Sequence, residues 1–136
     1  IVSNSKKNIL RGLHFQKKKP QGKYISVLKG RIFDVVVDLR KKSSTFGKSF
    51  SIILSQKNCR SIYIPPGFAH GFLSLDSENS VYYGCTEYRS PDNEFGIIYN
   101  DPTLKIRWPR KKIILSKKDK YAKNFSDYLQ NKIIKK

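Results

Sequence analysis

Short runs of alternating apolar and polar residues recur along this chain every eight to twelve residues, and each run ends at a turn signal. From Tyr24 to Leu39 the pattern predicts a hairpin with its turn at Lys29-Gly30, and shorter runs follow at 50–54 and 81–88. Strands at this spacing are typical of a β-sandwich or a β-barrel. With 136 residues the chain can form one hydrophobic core but not two ordinary domains.

The formal net charge of +18 raises the question of a nucleic-acid ligand. However, the 21 lysines and 7 arginines are spread along the whole chain, and no familiar nucleic-acid-binding module is present. We therefore expect no nucleic-acid partner. A small anionic ligand such as a nucleotide diphosphate would still be attracted to so basic a surface.

Location and redox chemistry are bounded by what the sequence lacks. No apolar run reaches the roughly 18 residues that a membrane-spanning helix needs, and no secretory signal is recognisable. We therefore expect a cytoplasmic protein with no membrane partner. The two cysteines, Cys59 and Cys85, have no CxxC pairing and indicate neither a disulfide framework nor a zinc site.

The first candidate functional residue is His14, one of only two histidines, in the segment Leu10–Gln16. Histidine has an ordinary pKa of about 6.5, so it can take up and return a proton near neutral pH. Strand alternation places Arg11 and His14 on opposite faces, unless the chain bends between them. From the residues alone, a hydrogen-bonded structural histidine is the alternative interpretation.

A second candidate stretch, 62–72, surrounds the other histidine, His70, with two prolines and two glycines. This composition predicts a rigid turn between strands and a close backbone approach beside His70. In a later strand, Tyr83 shares a face with Val81 and Cys85, so it can point into a barrel. Both an acid role and an ordinary core position fit a tyrosine there.

The chemistry that these residues favour is metal-free acid–base catalysis. A metal site usually takes about three or four ligands, whereas the two histidines here lack even an HxH spacing. Nucleophilic catalysis is also unsupported, because no GxSxG motif is present and neither cysteine neighbours a histidine in sequence. We therefore expect no metal and no other cofactor.

A series of motifs runs in one order along nearly the whole chain. The motifs are LRGLHFQ at 10–16, QGK at 21–23, FDV at 33–35, DLR at 38–40, STFG at 44–47, IPPGFAHGF at 64–72, NDP at 100–102 and IRWP at 106–109. Together they resemble the dTDP-4-dehydrorhamnose 3,5-epimerase family. The resemblance implies an all-β, cupin-like jelly-roll β-barrel with a short C-terminal helix. It also implies a metal-free homodimer that inverts C3 and C5 of dTDP-4-dehydro-6-deoxy-D-glucose in dTDP-L-rhamnose biosynthesis for surface polysaccharide.

The same resemblance implies catalytic roles. His14 corresponds to the base, Tyr83 to the acid on the opposite side of the sugar ring, and Lys23 to the cation beside the C4 oxygen. Asp119 corresponds to the carboxylate that orients His14, and Asp34 is the reserve candidate for that position. From the residues alone Asp119 also fits a helix start, because Ser116 and Asp119 have capping-box spacing.

Substrate-binding roles follow from the resemblance as well. Arg11 corresponds to a diphosphate-binding arginine, whose planar donors suit phosphate oxygens. His70, Glu94 and Lys118 match positions that line the ligand, and Phe72 is expected to wall the sugar pocket. One departure is Arg89, which stands where the family usually has an aromatic residue that stacks on thymine. A guanidinium also stacks on a flat base, so the departure leaves the nucleotide preference open.

Two further expectations concern the ends of the chain. We expect a cupin domain over 1–115 and a helical tail over 116–136, in which Tyr121, Phe125, Tyr128 and Leu129 share a face. Family members carry some fifty residues before the point where this sequence begins, so we expect an N-terminal truncation, with the homodimer formed through the missing segment. A single-position epimerase and a basic, non-catalytic nucleotide-sugar-binding or nucleic-acid-binding cupin are the alternatives.

Overall fold

The computed structural model describes residues 1–130, and strands dominate it. Within these residues there are ten strands, a 3₁₀ turn over Pro91–Asn93 and two short helices. The strands are β1 Val2–Lys6, β2 Ile9–Gln16, β3 Lys23–Lys29, β4 Arg31–Asp38, β5 Ser49–Ser55, β6 Ser61–Ile64, β7 Phe68–Ser74, β8 Glu78–Cys85, β9 Glu94–Gly96 and β10 Ile114–Leu115; the helices are α1 Lys117–Lys120 and α2 Phe125–Leu129.

Two sheets face each other, and almost all of their neighbouring strands are antiparallel. The first sheet has the order β1-β8-β3-β6, and the second has the order β10-β2-β7-β4-β5, with β9 also paired to β2. Only β10 runs parallel to its neighbour, β2. The hairpin expected between Tyr24 and Leu39 is instead a pair of strands in different sheets, since β3 belongs to the first sheet and β4 to the second. The all-β class predicted from the sequence is confirmed.

The two faces of β4 serve two cores. Ile32 and Val36 point between the sheets, where they pack with apolar residues of β3, β7 and β8. Val35 and Val37 point to the other side of the second sheet, where residues of the C-terminal segment cover them. A strand buried on both faces explains why this stretch is so continuously apolar. The interior between the sheets also receives the candidate functional residues.

The C-terminal segment differs from the single helix that the sequence pattern suggests. Two short helices form instead, separated by 121–124, and only Phe125 and Tyr128 of the expected apolar face are buried. Tyr121 and Leu129 are exposed. Phe125 and Tyr128 belong to the same core cluster as Phe15 and Leu39, so the segment packs onto the strands. The remainder of the predicted tail, 131–136, lies outside the described residues. None of the helices within 1–130 has the length and apolar character of a membrane span.

Asp38, at the end of β4, is expected to make the stability of the protein depend on pH. Its carboxylate accepts hydrogen bonds from Nε and Nη2 of Arg40, each at 3.0 Å, and from the hydroxyls of Ser43 and Thr45, each at 2.6 Å. The Arg40 hydrogen bonds, helped by the two hydroxyls, outweigh burial and hold the pKa of Asp38 well below its ordinary value. A lowered carboxylate pKa adds stability above the unfolded pKa of about 3.9, and this stability is lost as the pH falls below about 5.

We therefore expect Asp38→Asn to lower the free energy of unfolding at pH 7 and to flatten its decline in acid. Urea unfolding at pH 7 and at about pH 3 measures both effects. Asp92→Asn is the matched control, because Asp92 is an exposed acid of the 3₁₀ turn. An Asp38→Asn protein with the same acid dependence as the wild type would contradict this assignment.

Candidate active site

A bulge in β2 brings Arg11 and His14 to the same side of the sheet. Arg11 pairs with Phe72 and His14 with His70, and the register shifts between the two pairs. Residues directly opposite on antiparallel strands share a face, so Arg11 and His14 both point to the side of Phe72 and His70, between the sheets. Of the two arrangements that the sequence left open, the structure has the bend.

Glycine at position 71 makes this bulge possible. A Cβ on Gly71 would lie 2.7 Å from the carbonyl oxygen of Arg11 and 3.0 Å from a methyl carbon of Leu13. Gly12, in the bulge itself, has a φ of +119°, which residues with a Cβ atom rarely adopt. The motif LRGLHFQ and the glycine beside His70 therefore fit together across the two strands.

His14 is hydrogen-bonded to Asp119, with 2.5 Å between Nε2 and Oδ1. The other carboxylate oxygen of Asp119 accepts from the backbone N–H of Gly12 at 3.1 Å. Asp119 is buried, whereas 29% of the His14 side chain remains exposed. Burial raises the pKa of Asp119, but the hydrogen bonds from His14 and Gly12 outweigh it and leave that pKa below its ordinary value.

Asp119 both lies in the first turn of α1 and contacts His14. The backbone N–H of Asp119 donates to the hydroxyl of Ser116, which caps α1. The carboxylate of Asp119 does not complete a capping box, since it reaches His14 and Gly12 instead. The short helix therefore holds Asp119 by its backbone and leaves its side chain for the imidazole.

The reserve candidate, Asp34, does not contact His14. Its Oδ1 lies 2.7 Å from Nε2 of His70, and both side chains are buried. Position explains the difference, because Asp34 lies on β4, on the far side of β7 from His14. The structure thus contains two carboxylate–imidazole pairs, Asp119–His14 and Asp34–His70.

Tyr83 lies across the interior from the second sheet. Its ring centroid is 6.4 Å from that of His70 and 6.2 Å from that of Phe72, which is fully buried. Burial, together with the negative charge of Asp34, raises the pKa of Tyr83 well above its ordinary value. The phenol therefore stays protonated near neutral pH.

Lys23 begins β3 and lies opposite Cys85, two residues along β8 from Tyr83. Desolvation by burial lowers the pKa of Lys23, against the opposing effects of Cys85, Glu94 and Asp34. A cation in this position is poorly hydrated, and its electrostatic effect on a nearby oxygen is correspondingly strong.

Glu94 links two of the predicted ligand-binding residues at the exposed edge of the site. Its carboxylate accepts hydrogen bonds from Nε and Nη2 of Arg89, at 2.9 and 3.3 Å, and from the ammonium group of Lys118. Burial raises the pKa of Glu94, but these two cations and the nearby His14 bring it down to about 2. Arg11 is tied elsewhere, by a hydrogen bond of 3.1 Å from its Nε to Ser5.

The predicted site residues come from both sheets and from α1. Tyr83 of the first sheet packs against His70 and Phe72 of the second, and Asp119 reaches His14 from α1. Arg89, Glu94 and Lys118 form an ion-pair network at the edge of this site, where Glu94 acts electrostatically on Lys23. Sequence reasoning did not find the role of Gly12 as a donor to Asp119, nor the pairing of Asp34 with His70. Within 1–130, no three histidine, cysteine or acidic side chains are grouped so that they could hold a metal ion.

Comparison with known proteins identifies the family. The family model for dTDP-4-dehydrorhamnose 3,5-epimerase matches residues 1–127. The chain belongs to this family. Over 121 residues it is 50% identical to the dTDP-4-dehydrorhamnose 3,5-epimerase of Methanothermobacter thermautotrophicus. The aligned region covers 87% of this chain and 65% of the relative. The chain thus spans slightly less than two thirds of that epimerase.

Solved structures of this epimerase family superpose closely. An epimerase of Legionella pneumophila in complex with dTDP-4-keto-L-rhamnose has a TM-score of 0.90 and 48% identity, over 93% of this chain and 68% of that one. ChmJ, a 3'-monoepimerase of Streptomyces bikiniensis in complex with dTDP-quinovose, has a TM-score of 0.92 and 30% identity, over 98% of this chain and 68% of that one. The cupin-like fold expected from the sequence is confirmed by these likenesses.

Proposed function

We propose that this protein inverts C3 and C5 of dTDP-4-dehydro-6-deoxy-D-glucose and so forms dTDP-4-dehydro-L-rhamnose, a step toward dTDP-L-rhamnose for surface polysaccharide. The observation that carries the proposal is the hydrogen-bonded Asp119–His14 pair, whose imidazole lies on the same side of the second sheet as His70, and His70 faces Tyr83. Membership of the epimerase family and the likeness to a relative solved with dTDP-4-keto-L-rhamnose support the choice of substrate.

The proposed chemistry consists of proton transfers on the two carbons beside the C4 ketone. The ketone acidifies the hydrogens of both carbons, so His14 removes a proton and an enolate forms. Tyr83 then donates a proton to the opposite face, and Lys23 stabilises the negative charge on the C4 oxygen. Asp119 holds the His14 imidazole in one orientation.

The remaining predicted residues are proposed to bind the nucleotide and the sugar. Arg11 has the planar donors that suit a diphosphate. The ion-pair network of Arg89, Glu94 and Lys118 is proposed to contact the base, and Glu94 pairs with Gln16, toward the opposite end of β2 from Arg11. The hydrogen bonds from Arg89 to Glu94 hold the guanidinium in one plane, as a stacking surface for the base requires. His70 and Phe72 are proposed to line the sugar pocket, and no cofactor is needed.

Proton NMR of the products tests this proposal. The protein is incubated with dTDP-4-dehydro-6-deoxy-D-glucose, and the product is reduced chemically and analysed for its configuration at C3 and C5. We expect the L-rhamno and L-talo products, which differ only at the reduced C4 and both require inversion at C3 and C5. Recovery of only the D-gluco and D-galacto products would contradict the proposal.

A single-position epimerase is the second candidate. The structure of the 3'-monoepimerase ChmJ favours this candidate. This chain superposes on ChmJ with a TM-score of 0.92, the same value as for the 3,5-epimerase of Elizabethkingia anophelis. The same NMR analysis separates the two, since inversion at C3 alone gives a different configuration. A non-catalytic basic cupin would bind dTDP-sugar or nucleic acid and leave the substrate unchanged.

A homodimer remains a prediction, as does the absence of a nucleic-acid partner. The outer face of the first sheet carries Tyr24, Tyr63 and Tyr82, all substantially exposed, and aromatic residues are enriched at protein interfaces. Sedimentation equilibrium measures the mass directly, and a monomer at micromolar concentration would contradict the dimer. The cytoplasmic location also stays a prediction, in keeping with a nucleotide-sugar substrate.

A further inference from the structure

The Asp34–His70 pair lies beside the proposed catalytic groups, yet the acid–base steps do not use Asp34. Oδ1 of Asp34 is 2.7 Å from Nε2 of His70. The side chains are only 0% and 4% exposed. Burying a carboxylate costs desolvation free energy, so the hydrogen-bond partners of a buried carboxylate indicate its role.

Asp34 has fewer partners than the other buried acids of the fold. Asp38 accepts hydrogen bonds from Arg40, Ser43 and Thr45. Asp101 accepts from three backbone N–H groups. By contrast, Oδ2 of Asp34 is buried with no hydrogen-bond partner among residues 1–130. A residue that served stability would be better satisfied, because an unpaired buried oxygen costs free energy.

The surroundings of His70 show where its second nitrogen is available. The His70 ring centroid lies 6.2 Å from that of Phe72 and 6.4 Å from that of Tyr83, and His70 is opposite His14 on β2. Nε2 is occupied by Asp34, and Nδ1 has no hydrogen-bond partner among the described residues. The ionisable groups around the pair are Tyr83 of β8, Lys23 of β3, and Arg11 and His14 of β2.

We propose that Asp34 is a positioning residue that keeps the His70 proton on Nε2, so that Nδ1 accepts a hydrogen bond from a hydroxyl of the bound sugar. A carboxylate on one nitrogen of a histidine determines the role of the other nitrogen. The sugar-contacting part of this inference rests on the proposed function, whereas the position of the proton does not. Asp34 thereby contributes to sugar recognition without touching the sugar.

Nitrogen NMR of the imidazoles tests the position of the proton on the intact protein. The chain has only two histidines, so a His14→Gln sample assigns both rings. In the wild type near pH 8 we expect the Nε2 signal of His70 to be that of a protonated nitrogen and the Nδ1 signal to be that of an unprotonated one. In Asp34→Ala, which removes the acceptor, we expect a mixture of tautomers. A wild-type His70 with its proton on Nδ1 would overturn the proposal even if the variant failed to fold.

Kinetics test the recognition of the sugar. We expect Asp34→Asn and Asp34→Ala to lower kcat/KM by roughly 10- to 100-fold, a range typical for groups that orient a functional histidine. With the wild type, either the 2-deoxy or the 3-deoxy analogue should have a kcat/KM lower than that of the full substrate by a similar factor. With Asp34→Ala, the same analogue and the full substrate should have nearly equal kcat/KM. Losses that multiply fully for both analogues would overturn the proposed contact.

The matched control is Asp38→Asn, a buried acid on the same face of the same strand. Asp38→Asn should lower the midpoint of thermal unfolding, leave the His70 signals unchanged and keep kcat/KM within about twofold of the wild type. Asp34→Asn should instead lower kcat/KM with little loss of stability. The reverse pattern would assign Asp34 to stability and overturn the proposal. If the wild type inverts no carbon of the sugar, the proposed function fails, and the wild-type tautomer still decides where the His70 proton lies.

Discussion

Replacing His14 by alanine is expected to lower the rate of product formation by roughly 10²- to 10⁴-fold, the range typical for loss of a positioned general base. His14 is the only imidazole paired to Asp119, at 2.5 Å, and 29% of its side chain is open to the site. Alanine leaves no group there that can take up a proton at neutral pH. Initial rates with saturating dTDP-4-dehydro-6-deoxy-D-glucose measure the loss, and circular dichroism checks the fold.

Asp119→Asn provides the companion measurement. If the two residues act as a pair, the double variant His14→Ala with Asp119→Asn should be little slower than His14→Ala alone. Full multiplication of the two effects would show that Asp119 acts independently of His14. That result would contradict the pairing of Asp119 with His14. The hydrogen bond from the Gly12 N–H to Asp119 would then be the contact left to explain its effect.

Tyr83→Phe is expected to stop inversion while proton removal continues. The raised pKa of Tyr83, caused by burial and by Asp34, keeps the phenol protonated, so we expect it to act as the acid and not as a second base. Phenylalanine preserves the packing against His70 and Phe72 and removes only the hydroxyl. We expect inverted product to form roughly 10²- to 10⁴-fold more slowly, while His14 still exchanges substrate hydrogen with solvent on its own face.

The neighbouring Tyr82 supplies the matched control for this variant. Tyr82 is 39% exposed, on the outer face of the same strand, where its ring packs against Tyr24. Tyr82→Phe should leave both exchange and inversion unchanged. A Tyr83→Phe protein that inverts the sugar at the wild-type rate would mean that another group supplies the proton.

Much of the fold was predictable because the strand periodicity is strong. Strands β2, β3, β4, β7 and β8 all lie in stretches that the alternation and turn signals mark. The pattern failed where local geometry overrides it. The bulge between Arg11 and His14 depends on Gly71 in another strand, and no pattern within β2 shows it.

The C-terminal segment failed for a different reason. Helical spacing predicted a shared apolar face for Tyr121, Phe125, Tyr128 and Leu129, but the chain breaks between the two helices. The backbone of Lys123 there bridges to Ile97, and Asp101 accepts from the N–H of Phe125. These contacts join residues more than twenty positions apart, so spacing within the segment could not reveal them.

The candidate site was predictable residue by residue only through resemblance to the family. Spacing alone allowed Asp119 to be a helix cap, and Asp34 was an equally available carboxylate. The structure distinguishes them because β7 lies between His14 and Asp34. The ion pair between Lys118 and Glu94 joins residues 24 positions apart, so no local sequence pattern reveals it.

Deuterium incorporation from D₂O tests the central claim, that His14 moves protons at the carbons beside the C4 ketone. The wild type and His14→Ala are each incubated with dTDP-4-dehydro-6-deoxy-D-glucose in D₂O, and proton NMR follows the signals at C3 and C5. We expect the wild type to lose both signals and His14→Ala to retain both. Equal incorporation by the two proteins would contradict the assignment of His14 as the base.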